Sequence, residues 1–366
     1  MKNVFYKINL LFLILITNSF YLEATDQIAV SDPPIKGIKC LYWGAAMDAN
    51  YRARIDSVLD LEYITGISIY IPWNAFEPSE GDYRWHYFDI PLEEAKKHEK
   101  TVSFGLTVAA QSPGWLKQKA RTFTFTHIHP AVGEQTAPVP WDPTYMESIS
   151  RTIHSVGEEY NGNKYIYFVI INGPSTLFGV ETNWPLKYSS LTPDQKENMD
   201  FSLEKFEQGW KDHIDLFLEA FPDTRLALGL HHSLSIPEYS DEEKITACKA
   251  IRDYAIQKYQ QKHPADKMVL RLLGLCHDNP KYFEGEYSGP ASVNDYISMV
   301  WDRKDDVFIS YETSRVWSRS NLAGPINDPV SFDYFLHVIR NGISYAATSI
   351  EIKIPDIWND ETNSPY

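Results

Sequence analysis

Short runs of apolar, often β-branched residues recur along this chain. Between them lie longer stretches in which apolar residues return every three or four positions. Eight runs stand out: Gly37–Trp43, Gly66–Ile71, Thr101–Val108, Lys164–Ile171, Arg225–Leu230, Met268–Leu275, Val307–Tyr311 and Ile343–Ala347. Several are almost continuously apolar, as expected of parallel strands covered on both faces. The clearest helical period is in Phe201–Phe221, where Phe206, Trp210, Ile214, Phe217 and Phe221 fall on one face. Tyr51–Leu61, Phe88–His98, Pro143–Tyr160, Asp241–Lys262, Ser292–Trp301 and Phe332–Asn341 read the same way. Asp142 before Pro143, Ser240 before Asp241, and Ser331 supply helix-start signals.

Eight strands alternating with helices predict an α/β protein, a single (β/α)8 TIM barrel. A doubly wound sheet is the structural rival, but Trp43-Gly44-Ala45-Ala46 is no glycine-rich phosphate loop. The longest insertion, Gln111–Trp141, follows strand three. Its alternating segment Thr122–His127 predicts a local hairpin over the top of the barrel.

Composition narrows the picture. The chain has 366 residues, 43% of them hydrophobic and 14% aromatic, enough for one large core. A net charge of −15 argues against a nucleic-acid partner, whose phosphates favour a basic face. Lys2 and Lys7, the apolar run Leu10–Ile16 and Leu22-Glu23-Ala24 read as a signal peptide over residues 1–24. The mature domain is then 25–366, secreted to an extracellular or periplasmic space, with no membrane span after signal removal. Cys40, Cys248 and Cys276 allow at most one disulfide and have no metal-type spacing.

In such barrels chemistry sits where the strands end. The polar residues near those ends are Trp73, Asn74 and Glu77; Gln111; Asn172 and Glu181; His231 and His232; His277 and Asp278; Glu312 and Arg315; and Glu351. So many carboxylates and aromatics suit glycoside hydrolysis. That reaction needs one carboxyl group to protonate the leaving oxygen and a second to attack carbon or activate water. Glu312 directly follows an apolar run, with Arg315 near to hold it ionised, and is the candidate nucleophile or base. Glu181 is the candidate acid. Gly173-Pro174 forces a turn and Gly179 permits another, which would fold Glu181 back over the barrel mouth near Trp184. Trp73, Asn74, Asn172, His277, Arg315, Trp317 and Trp184 are the candidate substrate-binding residues, the tryptophans as stacking platforms for sugar rings. No metal and no cofactor is called for. Two other classes compete: a carbohydrate-binding barrel without catalysis, and a metal-dependent hydrolase using His231, His232, His277 and Asp278.

Trp73-Asn74, Glu77-Pro78, Gly81, Tyr83 and Trp85, then Asp89 and Ala95, resemble the second-strand region of the superfamily that includes the family 42 β-galactosidases. Ser112-Pro113-Gly114-Trp115-Leu116 is similar to a Pro-x-Trp-Leu segment of those enzymes, and Val139-Pro140-Trp141-Asp142-Pro143 fits the same type. The resemblance implies a (β/α)8 glycoside hydrolase acting on an oligo- or polysaccharide. It implies an acid/base glutamate after strand four and a nucleophilic glutamate ending strand seven, the position of Glu312. After strand four this chain departs from the family's Asn-Glu and reads Asn172-Gly173. The Gly-Pro turn followed by a Glu and an aromatic-Pro pair is instead similar to β-amylases, which points to Glu181.

Overall fold

The computed structural model describes residues 37–43, 50–231, 234–275, 297–313 and 329–353. Eight parallel strands close into a barrel. In chain order they are β1 (Gly37–Trp43), β2 (Ile64–Pro72), β3 (Thr101–Thr107), β6 (Ile166–Ile171), β7 (Leu226–Leu230), β8 (Val269–Leu275), β9 (Phe308–Thr313) and β10 (Ser349–Lys353). Each pairs with its chain neighbours in this series, and β1 closes on β10 with Gly37 opposite Ser349. The hairpin of the long insertion is β4 (Thr122–Thr126) against β5 (Glu134–Pro138), antiparallel, with Phe123 and Phe125 turned into the core.

The helices that cover the barrel include α1 (Tyr51–Leu59), α2 (Trp73–Phe76), α3 (His86–Lys97), α4 (Gly114–Lys119), α5 (Pro143–Tyr160), α6 (Pro193–Met199), α7 (Leu203–Ala220) and α8 (Asp241–Lys262). Two of the three expected helix starts, Asp142 and Ser240, are in place, whereas Ser331 lies inside the helix Pro329–Ser344. Asp142 Oδ1 accepts from the backbone N–H of Thr144 at 2.9 Å, and Ser240 and Glu243 form a reciprocal capping box.

The strands alternate between two unlike faces. Outward side chains such as Ile67, Ile69, Ile71, Ile309, Tyr311, Ile350 and Ile352 join the main core under the helices. The inner face is mixed. Leu41, Tyr70, Tyr167, Phe168, Ile170, Val180, Ala227 and Val269 form a small second cluster. Beside it lie buried polar groups: Lys39, Ser68, Arg271, Ser310, Glu312, Ser349 and Glu351.

That polar inner face explains the one misplaced strand. The run Ile343–Ala347 predicts strand eight, yet Ile343 lies near the end of the helix Pro329–Ser344. Tyr345 still donates its N–H to Asn341 in the helical manner. The strand is Ser349–Lys353, in which only Ile350 and Ile352 are apolar because the other three face the barrel interior. The helix expected at Ser292–Trp301 is described only over its last turn, Ser298–Trp301.

Candidate active site

Glu181 reaches the barrel mouth through a folded-back loop. After β6 the backbone N–H of Gly173 donates to the carbonyl of Gly179 at 2.7 Å, closing the turn that begins at Gly173-Pro174. Gly179 sits at φ +69°, a left-handed conformation that disfavours any side chain. The loop is stitched on both sides. Val108 N–H donates to Phe178 O at 2.7 Å near the end of β3, and Thr182 N–H donates to Gly229 O at 3.1 Å on β7. Thr182 Oγ1 further donates to His231 O at 2.7 Å and accepts from His231 N–H at 2.9 Å. Gly229 leaves the room this needs: a Cβ there would lie 2.1 Å from the Val180 carbonyl. Val180 thus plugs the inner barrel cluster, and Glu181 follows it, 7% exposed.

Glu312 comes from inside β9 and is 4% exposed. Tyr70 Oη donates to its Oε2 at 3.0 Å, Arg271 Nη2 donates to the same oxygen at 3.2 Å, and Lys353 Nζ lies 3.4 Å from Oε1. Arg271 Nη2 also donates to Tyr70 Oη at 2.7 Å. Burial, opposed by Arg271, raises the Tyr70 phenol well above its ordinary range, so it stays a neutral donor.

The two glutamates feel one another. Burial pushes the Glu181 carboxyl up to about 8, with the Glu312 carboxylate the next cause; Arg271, Lys353 and the Asn183 amide at 2.9 Å pull the other way. At neutral pH Glu181 therefore holds its proton, while Glu312 is ion-paired to Arg271 and Lys353. A buried carboxyl group that keeps its proton, near a second one paired to two cations, is an arrangement that can divide acid and partner roles between two glutamates.

The remaining sequence candidates lie elsewhere. Trp73 is fully buried, its indole N–H donating to Glu77 Oε2 at 2.7 Å and its ring edge-on to Trp115 and Tyr145. It is framework, and a sugar has no access to its face. Trp184 is likewise fully buried, stacked between Phe123 and Trp141, and it fastens the β4–β5 hairpin to the barrel. An aromatic residue beside a strand end reads the same in sequence whether it faces the mouth or the core, which is why both tryptophans read as platforms. Asn172 is buried on the helix side, accepting from His213 Nδ1 at 3.1 Å and donating to Leu106 O at 3.2 Å. It anchors the start of the Glu181 loop. Asn74 is exposed on α2. His277, Arg315 and Trp317 lie outside the described residues. Among the described residues the cations on Glu312 are Arg271 and Lys353, where the sequence suggests Arg315. Tyr70, Arg271 and Lys353 were missed. Their signal is parity: each is a polar group at an inward position of a strand whose outward positions are apolar.

The fold is a closed (β/α)8 barrel with two buried glutamates, Glu181 and Glu312, near its mouth. The family model of the family 42 β-galactosidases matches residues 57–175, from α1 through β6 to just past Gly173-Pro174, and so stops before Glu181 and Glu312. No curated protein matches the sequence. Among solved structures, the catalytic domain of β-amylase from Paenibacillus polymyxa is similar at 11% identity, covering 90% of this chain and 95% of that one with a TM-score of 0.57. A psychrophilic family 10 endo-β-1,4-xylanase is similar at 11% identity, covering 87% and 86%, with a TM-score of 0.50. At these identities the likeness is one of fold.

Proposed function

We propose that this protein hydrolyses O-glycosidic bonds of a carbohydrate by a two-carboxylate mechanism, with Glu181 as general acid and Glu312 as its partner. Glu181 passes its proton to the leaving oxygen as the bond from that oxygen to the anomeric carbon breaks. Glu312 either bonds to the anomeric carbon or takes a proton from the water that does. The geometry that carries this reading is a pair of buried glutamates in unlike settings: Glu181, pushed toward its neutral form by burial and by Glu312, and Glu312, held against Arg271 and Lys353. Catalytic carboxylates are set apart in this way by environment rather than by residue type.

The Gly-Pro turn supports Glu181 over a residue immediately after Asn172. Gly173 packs against the Trp210 ring, where a Cβ would come within 2.6 Å, so the family's usual position for the acid is closed here to any side chain. A panel of aryl glycosides tests the proposal. Wild type is expected to release the aglycone from at least one sugar, and Glu312→Gln to abolish that release while oligosaccharide binding persists. Wild type that binds sugar and cleaves none would favour the binding-protein reading instead. Export belongs to the same proposal: the pattern in residues 1–24 supports cleavage after Ala24, and amino-terminal sequencing of exported protein should begin at Thr25.

A further inference from the structure

Glu351 is a third carboxylate of the barrel interior, and the proposed mechanism does not use it. It sits on β10 in register with Glu312 on β9. Neighbouring strands are about 4.8 Å apart, so two inward carboxylates at matched positions are close neighbours. Glu351 is fully buried. Ser68 Oγ donates to its Oε1 at 2.6 Å, and Arg271 Nη2 donates to its Oε2. That same Arg271 nitrogen serves Tyr70 and Glu312. One guanidinium nitrogen thus ties two carboxylates and a phenol together.

We infer that Glu351 is a positioning residue for the reaction, acting through Arg271 to keep the donors on Glu312 in place while Glu312 loses its charge. The inference rests on the roles proposed for Glu312 and Glu181. In either form of the mechanism Glu312 becomes neutral mid-cycle, by bonding to the anomeric carbon or by taking a proton from water. Without a second anion, Arg271 would then be a buried charge with no partner, and such a charge relaxes toward whatever anion it can reach. Glu351 keeps it paired throughout. Because Ser68 fixes the other Glu351 oxygen, Arg271 and through it Tyr70 hold their geometry when Glu312 regenerates.

The charged and titratable groups around this network come from every adjoining strand. They are Lys39 on β1, Tyr70 on β2, Tyr167 on β6, Arg271 on β8, Glu312 on β9 and Lys353 on β10, with Glu181 on the loop above. Removing the Glu351 charge leaves more net positive charge beside Glu312.

The test is steady-state kinetics of wild type, Glu351→Gln, Glu351→Asp and Ser68→Ala on the best aryl glycoside. Glu351→Gln is expected to lower kcat roughly 10- to 100-fold with KM little changed, as for lost pre-organisation. The acidic limb of its kcat/KM profile should move to lower pH, because the neighbouring negative charge is gone. Ser68→Ala keeps all charges and should lower kcat less, with the acidic limb unmoved. Glu351→Asp should recover part of kcat and restore the limb. A merely structural Glu351 would cost folded yield and leave the profile of the surviving enzyme unmoved, which would overturn the inference. An active wild type with wild-type kcat and profile in Glu351→Gln would also overturn it while leaving the roles of Glu312 and Glu181 standing. If Glu351→Gln does not fold, an unaltered kcat in both Ser68→Ala and Glu351→Asp would overturn it. An inactive wild type would instead refute the proposed function on which the inference depends.

Discussion

Two loops of this barrel each place a glutamate in a buried setting near a tryptophan, and they use it oppositely. Glu77, after β2, is fully buried and saturated with donors. Trp73 Nε1 at 2.7 Å, Gly81 N–H at 2.8 Å, Arg151 Nη2 at 2.9 Å and Thr152 Oγ1 at 2.7 Å all point at its two oxygens. Glu181, after β6, is nearly as buried, but Asn183 is the one side chain seen donating to it among the described residues, at 2.9 Å, and the charge of Glu312 acts on it. A carboxylate whose two oxygens each meet two donors is held in place by the framework around it. One that is buried and under-donated holds a proton it can give away. On the proposed reading, the difference between a structural and a catalytic glutamate here lies in the donor count, and burial alone does not separate the two.

Substitutions should separate the loops sharply. Glu312→Gln is expected to cost the most, roughly 10⁴- to 10⁶-fold in kcat/KM, on the scale of other lost nucleophiles. Glu181→Gln should cost roughly 10²- to 10⁴-fold, the range of a lost general acid. Its rate profile should also lack the alkaline limb expected of wild type near pH 8. Glu77→Gln should do the reverse: near wild-type kcat/KM per folded molecule, with stability lowered by about 1–3 kcal/mol in urea titrations, because an amide nitrogen in place of one carboxylate oxygen leaves two of its four donors without an acceptor.

Smaller effects follow from proton linkage. Glu181 keeps its proton up to about pH 8 when folded but releases it near its ordinary value of 4.5 when unfolded. Its contribution to stability is therefore intact below pH 4.5 and is lost as pH rises toward 8, and Glu181→Gln should remove that decline. Burial lowers the Lys39 ammonium to about 7, against the pull of Glu351. From pH 7 upward the unfolded chain binds more protons at this lysine than the folded one, so its contribution rises with pH, by at most about 1.4 kcal/mol per unit. Lys39→Met should flatten that rise in thermal unfolding followed by circular dichroism. The mildest change is Asn183→Ala. Losing the hydrogen bond that favours ionised Glu181 should move the alkaline limb upward by less than about one unit.

Much of the frame was legible in the chain. The helices Pro143–Tyr160 and Asp241–Lys262 match their sequence patterns to the residue, with a side-chain cap marking the start of each. The β4–β5 hairpin was legible from simple alternation. Strand eight was not, because Ser349, Glu351 and Lys353 make up three of its five residues and face a polar interior. The same physics hid most of the site. Glu312 stood out by following an apolar run, and Glu181 by the Gly-Pro turn before it. Arg271 and Tyr70 lie within largely apolar strands, where only their parity against the outward apolar positions marks them as facing inward. Trp73 and Trp184 show the converse, since an aromatic side chain beside a strand end suits a core and a sugar equally well.

The most direct measurement compares leaving groups. Hydrolysis of a series of aryl glycosides should be followed in wild type, Glu181→Gln and Glu312→Gln. If Glu181 is the general acid, Glu181→Gln should approach wild-type rates for a 2,4-dinitrophenyl glycoside, which needs no proton on departure, and fall steeply as the leaving group becomes more basic. Glu312→Gln should be slow across the whole series. A Glu181→Gln enzyme with wild-type rates on the most basic leaving groups and an unchanged alkaline limb would contradict the assignment.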